Sequence, residues 1–116
     1  MDTASLAFWI AIGVVLAVYI SQRRQWISVN DAKQLLEQGG ILVDVRTTGE
    51  YTLNHIPDAL NIPLGNLAHR YKELEPLDKP IILYCKSGMR SAQAVRMLKG
   101  KGFTQVHNLG TLARWS

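Results

Sequence analysis

The sequence predicts an α/β domain with a central parallel sheet flanked by helices, preceded by one transmembrane helix. Three observations carry that prediction. Two short runs, "ILVDV" at 41–45 and "PIILYC" at 80–85, are apolar on both faces and alternate with helical patterns. Strands have this character when helices cover both sides of a parallel sheet. Residues 3–22, "TASLAFWIAIGVVLAVYISQ", hold no charged side chain. Finally, Asp44, Arg46 and Cys85 stand at the carboxyl ends of the two expected strands. Open parallel sheets place their ligand sites there.

The first element is the apolar one. As a helix, residues 3–22 extend about 30 Å, which matches the hydrocarbon thickness of a bilayer. Arg23 and Arg24 follow at once, and Trp26 sits near them as an interfacial anchor does. A secretory signal calls for a basic start and a small-x-small cleavage site, and a core helix for a polar stripe; the segment shows none of these. A retained single-pass anchor is expected, with the folded domain over 26–116. The basic pair on its C-terminal side, with no Lys or Arg before it, predicts an outside N-terminus and a cytoplasmic domain.

"SVNDAKQLLEQGG" reads as a helix, with Ser28 as N-cap, Asp31 completing a capping box and Gly39-Gly40 as the stop. The strand Ile41–Val45 follows. "TTGEYTLNHIPDALNIP" carries Gly49, Pro57 and Pro63 and should be mostly turns, with a short helix around Glu50. Leu64, Leu67, Ala68, Tyr71 and Leu74 fall on one face of an amphipathic helix. After the second strand, Ser91–Lys99 forms a helix ended by Gly100 and Gly102. "FTQVHN" is the third expected strand, and a last helix runs from Leu112 to Trp115.

Charge and cysteine content narrow the function. The 116-residue chain carries a formal charge of +4, and from Lys79 onward there are seven basic residues and no acid. That balance suits nucleic acid, anionic lipid or a small anionic substrate. The basic residues are spread singly, without interleaved aromatics, so nucleic acid is not an expected partner. A single cysteine allows no intramolecular disulfide and fits a reducing compartment. No metal-ligand spacing occurs, and His69 and His107 read as surface residues.

The segment "CKSGMRS" is where the chemistry concentrates. A strand ends at Cys85 and a helix begins near Ser91, so the backbone between must curl, with Gly88 supplying the freedom. Consecutive N–H groups in such a curl form a nest for an anion. The helix start adds partial positive charge, and Lys86 and Arg90 add full charges. A thiol held there should ionise near neutrality. The alternative is an inert buried cysteine that happens to end a strand; the loop's glycine, two cations and helix start favour the reactive reading.

Two segments resemble the rhodanese-like (sulfurtransferase) domain family. "LVDVRTTGEYTLNHIPDALNIP" is similar to its early Asp-x-Arg, Glu-Tyr and His-Ile-Pro-x-Ala-x-Asn-Ile-Pro signature, and "YCKSGMRSAQAVRMLKGKGFTQVHNLG" to its catalytic loop, following helix and last strand. The resemblance covers Ile27 to Trp115. It implies the rhodanese-like fold, no cofactor, and sulfane-sulfur transfer through a persulfide. Carried over by position, Cys85 is the nucleophile, and Lys86, Ser87, Gly88, Met89, Arg90 and Ser91 form its anion-binding loop. Asp44 and Arg46 would support the loop by hydrogen bonds and an ion pair, Glu50 would be structural, and His55 would pack and hydrogen-bond. The implied partners are a small anionic sulfur donor and a thiol, cyanide or protein acceptor. The six-residue C-x-x-x-x-R loop is one residue shorter than in phosphatase and arsenate-reductase relatives, which favours sulfur. A non-catalytic interaction module at the membrane is the alternative. Asp58 stands where the family usually has glycine, so its turn must be one that Asp tolerates.

Overall fold

The computed structural model describes residues 2–115. Met1, Ser116 and the side chains of Gln22 and Arg24 lie outside the described residues. The expected domain end and half of the expected basic flank therefore lie outside them too.

The apolar segment forms helix α1 (Thr3–Arg24), and none of its apolar span is buried. That overturns the core-helix alternative, since a core helix would be covered by the domain. Helix α2 (Val29–Glu37) begins at Ser28, whose hydroxyl accepts from the Asp31 N–H at 3.1 Å. Among the described residues the return bond from the Asp31 carboxylate is not made. The reciprocal capping box occurs one helix later. At the start of α3 (Thr48–Leu53), Thr47 and Glu50 cap each other.

Four parallel strands make the sheet: β1 (Ile41–Asp44), β2 (Leu60–Asn61), β3 (Ile81–Cys85) and β4 (Val106–Thr111), in the spatial order β2-β1-β3-β4. Every residue of β3 is buried, as its unbroken apolar run demands. On one face Val43, Leu83 and Cys85 pack with Leu67, Leu74, Ala94 and Leu98. On the other, Leu42, Ile82 and Tyr84 pack with Ala32, Ile56 and Leu109.

Several sequence expectations change in detail. The two-residue strand β2 lies in a stretch read as turns; it is too short to show a pattern. The amphipathic run 64–74 is interrupted: 3-10 turns at Leu64–Asn66 and Tyr71–Leu74 flank a single α-turn, α4 (Leu67–Arg70). Leu67 and Leu74 are still buried, so the apolar spacing survived while Gly65 and Asn66 weakened the helix around it. The third strand starts at Val106, not Phe103. Phe103 instead closes the end of α5 (Met89–Gly100), its N–H bonding to the Leu98 carbonyl at 3.2 Å while its ring enters the core. The last helix is only a 3-10 turn at Leu112–Arg114. Asp58 adopts a left-handed φ of 69°, a conformation that Asp tolerates better than most side chains.

The junction between α1 and the domain is tight. The Ile27 N–H bonds to the Asn108 carbonyl on β4 at 2.9 Å. Just before it, the Trp26 ring lies against Gly88 and Gly110. It also makes an edge contact with Tyr19 of α1, centroids 6.4 Å apart.

Candidate active site

Strand β3 delivers Cys85 to the carboxyl edge of the sheet, and the chain then turns through Lys86, Ser87 and Gly88 into α5. Gly88 is the N-cap of that helix with φ +91°, a conformation that side chains disfavour. The loop's backbone converges on sulfur: the Gly88 N–H donates to Cys85 Sγ at 3.0 Å. Ser91, fully buried on the first turn of α5, places its hydroxyl 3.4 Å from the same sulfur. Burial pushes the thiol's pKa up. The Ser91 hydroxyl and the N–H groups of Ser91, Gly88 and Ser87 outweigh it, leaving the pKa below its ordinary value. The hydrogen-bond donors on sulfur are neutral, and the Arg90 charge adds a smaller Coulombic attraction.

The Gly88 carbonyl fixes the loop from behind. It accepts from the Ala92 N–H at 3.1 Å, the Ser91 hydroxyl at 3.2 Å and the Asn108 side-chain amide at 3.1 Å. Asn108 reaches it because β4 carries a bulge: Leu83 pairs with Asn108 but Tyr84 with Gly110. The Asn108 carboxamide oxygen in turn accepts from the Gly110 N–H at 2.8 Å.

The charged residues stand differently from the simple expectation of two cations aimed at sulfur. Lys86 is exposed. Arg90 grips Glu50 with both arms, 2.7 Å and 2.9 Å. Glu50 also accepts from the Thr47 N–H and hydroxyl at 3.2 Å and 3.1 Å. These bonds, Arg90's first, lower the Glu50 pKa to about 2 despite the opposing effect of burial. Asp44 and Arg46 form a buried pair at 2.7 Å on the face of the sheet away from the thiol. Arg46 reaches on to the Asn54 carbonyl at the end of α3. The pair thus holds the segment that presents Glu50 to Arg90, and so acts on the loop through α3.

Glu50, Asn108 and Trp26 all touch the loop or its arginine, and the sequence reading gave none of them that place. The pattern Thr47-x-x-Glu50 directly after Arg46 was the available signal for the first. The His55 Nδ1–H donates to the Tyr51 carbonyl, 2.8 Å away, and the imidazole stacks on the Tyr51 ring. His107 is half-buried, so the surface reading fails for it. Among the described residues no three His, Cys, Asp or Glu side chains converge to hold a metal. Met89, largely exposed at the loop's end, shares a hollow of about 530 Å³ with the apolar face of α1.

Comparison with known proteins places this geometry among relatives. Residues 28–116 match the family model of the rhodanese-like domain. The thiosulfate sulfurtransferase GlpE of Pseudomonas syringae is 37% identical over 83 residues, covering 72% of this chain and 77% of that protein. A sulfurtransferase of Allochromatium vinosum is 40% identical over 77 residues, covering 66% of this chain and 71% of its own. Among solved structures, the human single-domain sulfurtransferase TSTD1 superposes with a TM-score of 0.67 at 27% identity, over 78% of this chain and 94% of that one.

Proposed function

Since the chain belongs to the rhodanese-like domain family and is a sulfurtransferase, we propose that it moves sulfane sulfur through a persulfide on Cys85, from a thiosulfate-type donor to cyanide or a thiol, while α1 holds it at a membrane. The observation that carries this reading is the Gly88 N–H on the buried Cys85 sulfur, backed by a depressed thiol pKa.

The chemistry balances without a cofactor. The Cys85 thiolate attacks the outer sulfur of thiosulfate; that S–S bond breaks and sulfite leaves with its electron pair. An acceptor thiolate then attacks the terminal sulfur of the persulfide, and the Cys85 thiolate leaves. The Ser91 hydroxyl suits both states: it donates to the Gly88 carbonyl when sulfur is protonated and turns to donate to sulfur when it is not. Arg90 and Lys86, on the outer side of the loop, would meet the sulfonate end of the donor. With Arg90 already neutralised by Glu50, Lys86 carries more of that attraction than loop position alone suggests.

The anchor reading draws on the exposed, charge-free span of α1 and the arginine pair that ends it. Met89 facing the same hollow as α1 supports an acceptor that approaches from the membrane side. Mass spectrometry after thiosulfate treatment tests the central claim. One added sulfur on the Cys85 peptide is expected, with no transfer by Cys85→Ser despite an unchanged thermal midpoint. Transfer by that variant above about a tenth of wild type would overturn it.

A further inference from the structure

A second cleft, behind the cysteine loop and sharing Ala92 and Asn108 with its support, lies between α5 and β4, the edge strand of the sheet. Its volume is about 410 Å³, and its lining includes Gln25, Arg96, Lys99, Thr104, His107 and Asn108. No carboxylate lines it, and the chain holds no acid after Asp78.

Its charges are uncompensated. The domain has five arginines. Arg46, Arg70 and Arg90 are paired with carboxylates, and Arg114 donates to the carbonyls of Ile27 and Leu109. Arg96 is the one without a partner among the described residues, and it faces this cleft one helical turn from Lys99. His107 sits half-buried opposite; burial first, and then the charge of Lys99, lowers its pKa. Like charges gathered without a counter-ion repel, and a bound anion reverses that cost. The Gln25 amide adds a neutral donor; the Thr104 hydroxyl already donates to the Leu77 carbonyl at 3.4 Å. The volume suits a small ligand with several acceptor oxygens.

We propose that this cleft binds an oxyanion of the phosphate class, and that the headgroup of an anionic phospholipid supplies it. The source follows from position. Gln25 is the first residue after α1, so the cleft opens where an anchor helix leaves the bilayer. The headgroup assignment rests on reading α1 as an anchor; the oxyanion assignment does not.

The test follows the ring-proton titration of His107 by NMR in the full chain, with the signal assigned by His107→Gln. One arm adds inorganic phosphate in a neutral detergent, with chloride at equal ionic strength as control. The other compares nanodiscs of phosphatidylcholine with discs in which about a third of the lipid is phosphatidylglycerol. The groups facing His107 in the cleft are Lys99 and Arg96 on α5, so the anion should raise its pKa by about half a unit or more. Arg96→Gln with Lys99→Gln, both exposed changes that should leave the fold and sulfur transfer intact, should abolish the rise. A rise in phosphatidylglycerol discs supports the whole proposal. A rise with phosphate but not with those discs overturns the headgroup as the source and keeps the oxyanion site. No rise in either arm, or a rise undiminished in the double variant, overturns the site. Failure of the chain to insert into discs overturns the anchor reading, and the phosphate arm alone then decides the cleft.

Discussion

Replacing Gly88 by alanine tests how the catalytic loop is held. At φ +91° a side chain costs about 1–2 kcal/mol in backbone strain alone. The new methyl would also lie 2.9 Å from Trp26 Cε2, and closer still to Cζ2. The indole cannot retreat freely, because the Gly110 backbone abuts the opposite edge of the same six-membered ring: a methyl there would lie 2.6 Å from Cζ3. Overpacking of this kind costs a further 1–3 kcal/mol or so, for a total of about 2–5 kcal/mol. Trp26→Ala removes the obstacle. Alone it should cost about 2 kcal/mol, less than a fully buried tryptophan because Trp26 is only half-buried. Together the two substitutions should cost less than their sum by about 1–3 kcal/mol, leaving the strain behind. Hydrogen exchange of the β3 amides in the full chain reads the opening free energy directly. A coupling within about 0.5 kcal/mol of zero would refute the contact between wedge and loop.

Other expectations follow from the polar framework. Glu50 has its pKa lowered to about 2, so its pairing with Arg90 stabilises the fold above about pH 4.5, the ordinary carboxyl range, and that stability is lost as pH falls through about 2. Both partners are about a third exposed, which screens the effect to about 1 kcal/mol. Glu50→Gln should therefore lower stability by that amount at pH 7 and converge with wild type in acid unfolding; equal midpoints at neutral pH would refute it. Arg46→Ala strands the buried Asp44 carboxylate and should cost about 3–5 kcal/mol in denaturant unfolding; a loss below about 1 kcal/mol would show the pair to be dispensable. For topology, a reporter fused after Ser116 should be active only as a cytoplasmic fusion, and activity of an export-dependent reporter there would reverse the proposed orientation.

How much of this could be read from the sequence depends on the range of the interaction. Cys85, Gly88 and Ser91 lie within seven residues at a strand end, so the loop was visible as a local pattern, as was the β3 run that buries it. The partner of Arg90 was not, because Glu50 is 40 positions away and α3 brings it there. The role of Asn108 depends on a one-residue bulge, which leaves no periodic trace in a six-residue strand. Trp26 read as an interfacial aromatic because it follows an apolar helix; its packing on two glycines needed the fold. Phe103 misled for a similar reason. An apolar residue after Gly102 fits a strand start as well as a helix closure, and only the backbone bond to Leu98 separates the two.

The tight junction between α1 and the sheet edge bears on how such an enzyme meets its acceptor. The Ile27 bond to Asn108 and the Trp26 wedge leave no slack between helix and domain. With α1 in a bilayer, the persulfide would ride at a fixed height and heading, and could move only by sliding and spinning in the plane. Acceptors in that plane would meet it in a two-dimensional search, with part of the orientational entropy of encounter already spent. A soluble acceptor would gain nothing from this arrangement. Lengthening the junction with a few glycines should therefore slow transfer to membrane-bound thiols while leaving transfer to cyanide almost untouched.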